Sequence, residues 1–469
     1  MSQISTETNI LNGRVFKVNR SELVGRWDAY FNYALKISTL KTKYPTISIS
    51  SAFKSYSGGT PSKANLSYWN GFVPWVSPKD FKALMLVDTE DHITEEAISN
   101  SATIIAHKGS LLMVVRSGVL AHTIPVAITT KPMAFNQDVK AFIQQADIST
   151  KFLAVYFQVY NDQLLPLIVK HSTTVQSINT VQLNTLKIPA PPSDLQEKIV
   201  HLYLDAVAEK KQKEQQAQTL LAGIDAYLLA ALGISLPQQD NTLEGRIFTT
   251  TFKEVSGSRL DAYFYKNEYQ LLIDRIKNVK SYRLKDIICF SSETWNQQDH
   301  FVGTFPYIEI SEIDLWSGEI KNIKHISIAE APSRAKMLIR EGDIIVSTTR
   351  PTRGAIAHNQ FQGIQIASTG FAVIREIKGN AITKDFLFHV LRLSSSLKQM
   401  GQRSTGGNYP AITQEELGNI LIPYVDINQQ EKIVMRINEI YSHAKQLQTE
   451  AAQILADAKA EVERMILGE

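Results

Sequence analysis

The strongest constraint on this chain is that parts of its sequence occur twice. The hexapeptide RWDAYF at residues 26–31 returns as RLDAYF at 259–264, and QEKIV occurs identically at 196–200 and 430–434. A repeat with a period of about 200 residues or more is a duplicated domain, because solenoid repeats run only to about 50 residues. We therefore expect two lobes with a common framework. Since the middles of the copies share few residues, we expect them to be two different inserts.

Each copy ends in a long predicted helix. Ser193 with Gln196, and Asp426 with Gln429, have the spacing of a capping box. Beyond these starts, apolar residues recur in alternating steps of three and four, which is the pattern of a coiled-coil seam. One helix from each copy is expected to pair antiparallel with the other, with a lobe at each end. The seam positions are Ile199, Tyr203, Ala206, Lys210, Lys213, Ala217, Leu220 and Ile224 in the first helix and Ile433, Ile437, Ile440, Ala444, Leu447, Ala451, Ile454 and Ala458 in the second.

Lys210 and Lys213 are polar residues in an otherwise apolar seam. Such a pair lowers stability but can fix register and partner, which makes the other helix of the same chain the expected mate. Their long alkyl stems can still cover part of the seam. The alternative is that both helices simply cover the sheets of a two-domain enzyme. Typical globular helices of about 8–20 residues are shorter than these, which favours a paired spacer.

The rest of each copy reads as a strand-rich lobe of the α+β or α/β class. Runs of apolar and β-branched residues bounded by turn residues predict strands, and two segments with helical apolar spacing predict short helices. The predicted strands are 72–76, 110–115, 124–128, 305–310, 343–347 and 371–374, and the helices 151–160 and 384–393. The predicted division is 1–192 for the first lobe, 193–232 for its helix, 233–244 for a linker, 245–425 for the second lobe and 426–469 for its helix.

Composition limits the classes of function. The net charge of the 469 residues is +3, so a nucleic-acid site would have to be a local basic patch. The single cysteine, Cys289, excludes a disulfide framework and a cysteine-based zinc site, and it fits a reducing cytosol. The longest apolar stretch, 220–232, is too short to span a bilayer. No signal peptide is visible, and a cytoplasmic protein is expected.

Motifs that would carry catalysis are missing from the sequence. There is no Walker A loop, no Gly-x-Ser-x-Gly elbow, no Asn/Asp-Pro-Pro-aromatic motif and no metal-ligand spacing among the histidines. A nuclease site could be assembled from Asp343, Glu376 and Lys378, but the first copy has Ser110 where Asp343 stands. The chain is therefore interpreted as non-catalytic. Four tryptophans, at 69, 75, 295 and 316, are expected in the cores.

Several motifs in a fixed order resemble a known family. They are GGTP at 58–61, VPWVS at 73–77, a glycine-led apolar strand ending in Arg-Ser-Gly at 109–118, and the stretch from IPAPP to QEKI at 188–199. The second copy repeats the last motif, but has SSETWN at 291–296 where the first has its glycine-rich turn. The whole chain resembles the specificity subunit of type I DNA restriction-modification enzymes.

The resemblance implies how such a chain works. Each lobe would be a target recognition domain that reads one half of a split site on double-stranded DNA. The paired helices would separate the lobes and dock two modification subunits that methylate adenine. Restriction subunits would add translocation and cleavage. S-adenosylmethionine, ATP and magnesium would then bind those partners, with no cofactor or metal on this chain, which would work in the cytoplasm of a bacterium or archaeon without a membrane partner.

Polar and basic residues on the predicted loops are the expected DNA contacts, because arginine, asparagine and glutamine read base edges while lysine and arginine hold phosphates. The candidate DNA contacts are Lys54, Ser57, Thr60, Lys63, Lys79, Arg116, Ser117, His122, Thr174 and Gln176 in the first lobe and Lys336, Arg350, Arg353, Arg403, Ser404, Thr405, Asn408 and Tyr409 in the second.

Two other functions stay open from the sequence: a protein-interaction scaffold with two lobes on a coiled-coil rod, and a stand-alone nuclease.

Overall fold

The chain divides into two compact units in the computed structural model. The first consists of Met1–Gln212 with Glu450–Glu469, and the second of Lys213–Thr449. Within them the structure describes residues 41–170, 175–238, 240, 242, 247–255, 259–297 and 299–469. The first copy of the repeated hexapeptide, at 26–31, lies outside the described residues, whereas the second, at 259–264, lies within them.

The first unit contains two large sheets. The five-stranded sheet has the order β2-β10-β7-β8-β4 and the four-stranded sheet the order β5-β3-β9-β6, while β1 pairs with β13 and β11 with β12. The strands are β1 Thr46–Ser48, β2 Phe53–Ser57, β3 Trp69–Val76, β4 Met85–Leu86, β5 Asp91–Ile93, β6 Ile104–Ala106, β7 Leu111–Val114, β8 Val126–Thr129, β9 Met133–Phe135, β10 Val139–Gln144, β11 Val169–Lys170, β12 Ser177–Ile178 and β13 Lys187–Pro189. The short helices are α1 Ile49–Ala52, α2 Glu95–Ser99, α3 Thr150–Val159, α4 Asn161–Ile168 and α5 Thr180–Thr185.

A long helix, α6, runs from Ser193 to Ala231, and the rest of the second unit follows it. Its sheets have the orders β15-β22-β19-β20 and β17-β16-β21-β18, and β14 pairs with β23. The strands are β14 Ser281–Arg283, β15 Ile288–Ser291, β16 Thr304–Ile308, β17 Lys324–Ser327, β18 Ala335–Ile339, β19 Ile344–Ser347, β20 Ile356–His358, β21 Gln365–Ser368, β22 Phe371–Ile377 and β23 Leu421–Pro423. The helices are α7 Phe252–Val255, α8 Asn267–Lys277, α9 Leu284–Ile287, α10 Lys384–Arg392, α11 Ser394–Arg403, α12 Gln414–Gly418 and α13 Ile427–Leu467.

The two units share most of their sheet topology. The order β2-β10-β7-β8 corresponds to β15-β22-β19-β20, with β4 as an additional edge strand in the first unit. The order β5-β3-β9-β6 corresponds to β17-β16-β21-β18, and in both the two middle strands are parallel. The central antiparallel strands β7 and β19 are buried along their whole length, which explains their uninterrupted apolar sequences. The prediction of two different inserts is therefore wrong. An apolar pattern is enough to specify these strands, so the copies keep the topology while losing residue identity.

The long helices contribute to the core of each unit separately. In the first unit, Ile199 and Tyr203 of α6 share a buried cluster with Val462 and Ile466 of α13. In the second unit, Ala217 clusters with Ala444 and Leu447, whereas Leu228 lies in the core with Ile433 and Ile437. Moving forward along α6 in the second unit thus means moving backward along α13, so the two segments run antiparallel.

Every position of the predicted seam is at least half-buried. Six of the positions are half-buried and not fully buried: Lys210, Lys213, Leu220, Ile224, Ile440 and Ile454.

The prediction that the tryptophans lie in the cores is only partly correct. Trp75 and Trp295 are buried, at 5% and 2% exposure, but Trp316 is 53% exposed, so placing it in the core was wrong. Its backbone carbonyl accepts a hydrogen bond from Tyr441 (3.2 Å), which fixes the loop and leaves the indole outside.

A buried glutamine joins each lobe to its long helix. The Gln196 amide donates to the carbonyls of Asp147 (2.8 Å) and Pro191 (2.9 Å), and its oxygen accepts from the backbone N–H of Ser149 (2.8 Å). Ser149 is the N-cap residue of α3, which packs on the sheet. The helix therefore holds the lobe through three hydrogen bonds from one side chain. Ser193 and Gln196, the two residues of the predicted capping box, thus both bond to Asp147 of the lobe, Ser193 through its Oγ at 3.0 Å.

The second unit repeats this arrangement at the equivalent glutamine. The Gln430 amide donates to the carbonyls of Ala381 (2.7 Å) and Val425 (2.8 Å), and its oxygen accepts from the N–H of Thr383 (2.9 Å), the N-cap residue of α10. Asp426 caps the first turn by accepting from Gln429 N, at 3.1 Å, so half of the second predicted capping box forms. The identity of the glutamine in the two QEKIV copies thus has a structural cause: an amide of this length is needed to satisfy three backbone groups at once.

Replacing Gln430 by alanine is expected to lower the free energy of unfolding of the second unit by about 2–4 kcal/mol, because buried backbone groups lose their partners. Amide hydrogen exchange would locate the loss in α10 and the start of α13. The neighbouring Gln429, which is exposed, supplies the control: Gln429→Ala should leave the exchange unchanged. Equal effects of the two substitutions would contradict the role of the buried amide.

Candidate nucleic-acid interface

Two loops run side by side in the first unit. Arg116, just after β7, forms a β-bridge with Ser177, and the N–H of Ser117 donates to the carbonyl of Gln176 at 3.1 Å. The N–H of Ile178 donates to the carbonyl of Val115 at 2.8 Å. We call residues 115–122 and 175–178 the first paired loops. They bring Arg116, Ser117 and Gln176 together, whereas Thr174 lies outside the described residues.

The second unit has the same arrangement. Thr349, after β19, forms a bridge with Ala411, and the N–H of Arg350 donates to the carbonyl of Pro410 at 2.7 Å. The N–H of Ile412 donates to the carbonyl of Thr348 at 2.9 Å. We call residues 348–354 and 404–412 the second paired loops. Because both pairs follow the equivalent central strand, the duplication places one such site in each unit.

The glycine-rich turn adjoins the first paired loops. Thr60 Oγ1 donates to Gln137 Oε1 at 2.5 Å, and the next residue, Asp138, accepts from the N–H groups of Val115 (2.8 Å) and Arg116 (3.3 Å) through its carbonyl. Ser57 lies opposite Lys140 on the neighbouring strand. Five of the predicted contacts therefore form one continuous set: Ser57, Thr60, Arg116, Ser117 and Gln176.

The glycines of this turn are required by close backbone approach. A Cβ at Gly58 would lie 2.0 Å from the carbonyl oxygen of Phe135, and one at Gly59 would lie 2.4 Å from that of Ala102. The carbonyl of Gly59 also accepts from the indole of Trp75, at 3.2 Å. The turn is thus clamped between β9 and the chain leading to β6, and this rigidity positions Thr60.

The remaining candidates of the first unit occupy different surroundings. Lys54 is exposed on β2, Lys63 is exposed in the loop that follows the turn, and His122 ends the short 3-10 helix Gly118–Ala121. Lys79 is held by Asp91 (2.9 Å) and Glu90 (3.2 Å). These carboxylates, Asp91 first, raise the pKa of Lys79. Its charge is therefore already matched within the lobe.

Arg350 has the most distinctive geometry of the second site. Its backbone lies in the left-handed region, at φ 49° and ψ 53°, which a residue with a side chain adopts at a cost of about 1–2 kcal/mol. The guanidinium lies over the ring of Tyr409, 4.2 Å from its centroid, and donates to the carbonyl of Asn408 at 3.1 Å. A strained arginine stacked on an exposed tyrosine is an arrangement found at functional sites, where the surroundings hold it in place.

The other candidates of the second unit also have different surroundings. Ser404, Thr405 and Arg353 lie on the paired loops, Arg353 in the 3-10 helix Pro351–Arg353. Lys336 is exposed on β18, and its carbonyl accepts from the N–H of Trp295 at 2.7 Å. Arg403 forms an ion pair with Glu416 at 2.7 Å and is only 17% exposed. Its charge is compensated inside the unit, which removes it from the exposed set.

Asp343, the first acidic residue of the nuclease alternative, has a structural role. Asp343 is 2% exposed, and its two carboxylate oxygens accept from Arg375 (3.2 and 2.9 Å) and from the N–H of Arg340 (2.9 Å). Arg375 also pairs with Glu293 at 2.9 Å and lowers the pKa of that carboxyl. Lys378 donates to the carbonyl of Lys285 at 3.0 Å. Among the described residues, no group of three or more histidine, cysteine or acidic side chains could hold a metal ion.

One cavity lies elsewhere in the second unit. It measures about 660 Å³ and is lined by residues that include His358, Asp385, His389 and Tyr441. Burial lowers the pKa of His389 to about 3, with smaller contributions from Arg392 and His358. The ring of His389 stacks on that of Tyr441, with centroids 6.1 Å apart. A neutral imidazole packed in this way stabilises the joint between α10 and α13.

Sequence reasoning missed the residues that connect the loops. Gln137 and Asp138 join the glycine-rich turn to the loop after β7, and Arg259 donates to carbonyls at the root of residues 404–410. Nothing in the sequence around Gln137 marks this contact, because it depends on a strand pairing distant in sequence. Arg259 did carry a signal: the recurrence of Arg26 with Asp28 as Arg259 with Asp261 predicts a structural ion pair or a shared docking surface, with the ion pair favoured. The ion pair between Arg259 and Asp261 forms, at 2.7 Å.

The chain belongs to the family of the type I restriction modification DNA specificity domain, whose model matches residues 42–222 and again residues 276–455. Each match contains one set of paired loops. The prediction from the duplicated motifs is therefore confirmed. No helix in the described part of the chain is long and apolar enough to cross a membrane.

Curated relatives agree with the family over part of their length. The specificity subunit of the type I restriction enzyme EcoR124I/EcoR124II of Escherichia coli is 37% identical over 150 residues, which is 32% of this chain and 37% of that protein. The MjaIX specificity subunit of Methanocaldococcus jannaschii is 27% identical over 164 residues, 34% of this chain and 37% of that protein. The aligned stretches thus span little more than a third of either relative.

A solved structure shows the fold over nearly the full chain. A chain from work on the structural basis of complex assembly and conformational transition of the type I R-M system has a TM-score of 0.52 and 14% identity. The match covers 90% of this chain and 96% of that chain. At this identity the similarity concerns the fold alone. It confirms the predicted mixed α/β class.

Stability of the second unit should fall as pH drops below about 6.5, because His389 takes up a proton in the unfolded chain long before it can do so in the folded one. With a folded pKa of about 3, the expected slope is up to about 1.4 kcal/mol per pH unit. Denaturant unfolding between about pH 7 and 5.5 measures it, and His389→Phe should flatten it. His443 is exposed on α13, so His443→Phe should keep the wild-type slope. A slope as steep in His389→Phe as in the wild type would refute the assignment, whereas a shallower residual slope is expected because burial also lowers the pKa of His358.

Proposed function

We propose that this chain is the sequence-specific DNA-binding specificity subunit of a type I restriction-modification enzyme. The observation that carries the proposal is the duplication of a DNA specificity domain, with one set of paired loops in each copy. Each lobe would act as a target recognition domain for one half of a split target. The proposed division is that made from the sequence, with lobes at 1–192 and 245–425, helices at 193–232 and 426–469, and a linker at 233–244.

Charge and exposure distinguish the proposed base contacts from the proposed phosphate contacts within each site. Sequence is read by donors and acceptors aimed at base edges, whereas phosphate contacts fix position. Arg116, Thr405 and Asn408 are exposed on the paired loops and are proposed to face base edges. Lys54, Lys63 and Lys336 are exposed on flanking strands and turns, where a flexible ammonium suits phosphates. The loops rest on buried strands, which supplies the rigidity that discrimination between bases needs.

The partners follow from the same proposal. The long helices would dock two modification subunits carrying the methyltransferase chemistry, and restriction subunits would join as translocase and nuclease. Both helices present exposed residues along their lengths, including Met435, which is 60% exposed. S-adenosylmethionine, ATP and magnesium are assigned to those partners. The chain itself is proposed to be non-catalytic, and the locked carboxylate of Asp343 weighs against the nuclease alternative.

Selection from a randomised duplex library tests the reading of two half-sites. The full chain with its modification subunits should enrich a bipartite motif. Arg116→Lys should relax preference at one half by about 5–100-fold at the affected position, because lysine keeps the charge but lacks the bidentate fork. Arg350→Lys should relax preference at the other half, because an ammonium cannot both stack on Tyr409 and hold the carbonyl of Asn408 as the planar guanidinium does. Uniform weakening on all sequences would instead identify phosphate contacts, and the absence of any bipartite motif for the wild-type complex would refute the proposed function.

Salt dependence separates DNA binding from a protein-interaction scaffold. Binding that neutralises about six phosphates should weaken roughly a thousandfold between about 50 and 200 mM salt through counterion release. Fluorescence anisotropy of a labelled duplex measures this slope. Lys63→Gln should make the slope shallower by about one unit if the ammonium holds a phosphate. The matched Lys79→Gln should change it less, because Lys79 already faces two carboxylates. A duplex affinity insensitive to salt would favour the scaffold.

A further inference from the structure

The repeated hexapeptide has no role in the function proposed so far. Its second copy, RLDAYF at 259–264, is described by the structure and lies in the second unit. Arg259 and Asp261 form an ion pair at 2.7 Å, and the Arg259 side chain is only 18% exposed. A short ion pair of this kind could simply stabilise the lobe. The hydrogen bonds that Nη1 and Nη2 of the guanidinium donate indicate a more specific role.

Arg259 caps the end of the helix that leads into the second paired loops. Its Nη1 donates to the carbonyl of Arg403 at 2.6 Å and its Nη2 to that of Ser404 at 3.3 Å. Arg403 is the last residue of α11, so these carbonyls are the ones that a helix leaves without partners. A positive charge also opposes the negative end of the helix dipole. Arg259 therefore determines the direction in which residues 404–410 leave the helix.

The guanidinium is itself held from several sides. Nε donates to Asp261 Oδ2 at 2.7 Å, and Asp261 Oδ1 accepts from the N–H of Phe264 at 3.1 Å. The hydroxyl of Tyr265 donates to the carbonyl of Arg259 at 2.7 Å. The ring of Phe264 faces the guanidinium carbons of Arg259 and Arg403, at 5.2 and 5.6 Å from its centroid. The hexapeptide thus preorganises the arginine before it contacts the loop.

The loop beyond this anchor has little packing beneath it. A cavity of about 510 Å³ lies between the hexapeptide and residues 404–407, with Arg259, Asp261 and Tyr263 among its lining residues. At its other end the loop is closed by Thr405 and Ala411, whose N–H and carbonyl groups exchange two hydrogen bonds of 2.8 Å. Residues 405–409 are exposed. Because a cavity lies under residues 404–407, the position of the loop depends on its two ends and on the contact of Arg350 with Asn408 and Tyr409.

We propose that Arg259, oriented by Asp261, is a positioning residue that sets the aim of residues 404–410 and thereby the specificity of the second lobe for its half-site. The residue acts through the backbone of Arg403 and Ser404 and is not itself assigned a base contact. The inference rests on the proposed function, because it assumes that the second paired loops face DNA. The arginine and the aspartate recur at equivalent positions of the first sequence copy, as Arg26 and Asp28, which fits a contact that each lobe needs once.

Selection from randomised duplexes with the full chain and its modification subunits tests the proposal. For Arg259→Ala, preference in the half-site read by the second lobe should fall by about tenfold per discriminated position, with the other half-site unchanged. Arg259→Lys should fail similarly, because one ammonium cannot reach two carbonyls and a carboxylate in fixed directions. Arg275 supplies the matched control: its Nη1 donates to the carbonyl of Ser235 at 3.0 Å, away from the paired loops, so Arg275→Ala should keep both half-sites.

The outcomes separate the inference from the proposed function. A wild-type complex that selects no bipartite motif refutes the function. A wild-type bipartite motif that survives Arg259→Ala, or that Arg259→Lys fully restores, refutes the positioning role. Equal loss at both half-sites together with a lowered melting temperature would mark a structural role and also overturns it. If Arg259→Ala does not assemble, Asp261→Asn carries the test, since it removes the charge facing Nε but keeps an oxygen for the N–H of Phe264.

Discussion

Each lobe depends on one buried amide at the start of its long helix. Gln196 and Gln430 each satisfy three backbone groups, one of which belongs to the N-cap residue of a helix lying on the sheet. An unsatisfied buried carbonyl or N–H costs about 1–3 kcal/mol, so few substitutions preserve this contact. The contact fixes the end of each long helix against its own lobe. Any function that needs the lobe oriented on its helix depends on it.

The paired loops show how a rigid frame presents adaptable contacts. In both units a loop after a fully buried strand is hydrogen-bonded to a second loop from far along the chain. In the second unit, Arg350 in a left-handed backbone and Arg259 at the root of the loop hold exposed residues away from the core. Rigidity of this kind keeps polar groups aligned before a ligand arrives, which lowers the entropy lost on binding.

The residues of the two copies differ at positions where more than one side chain can make the required contact. The amide contact of the glutamines requires one side chain of fixed length and chemistry, so that residue is identical in both copies. Strands such as β7 and β19 need only apolar side chains of suitable volume, so their residues differ while the sheet order is kept.

The sequence by itself determined the duplication, the long helices with their apolar seam and the position of the central strands, because these depend on periodicity and on local signals. The family also followed from motif order. Only the tertiary structure decided which polar residues share a site. Thr60 and Arg116 come together through Gln137 and Asp138, and Arg259 reaches the end of a helix far along the chain. Contacts of this kind depend on strand pairings between distant segments, which leave no periodic trace in the sequence. The exposed Trp316 has the same explanation, since its backbone is held by Tyr441 and its hydrophobicity alone did not determine its place.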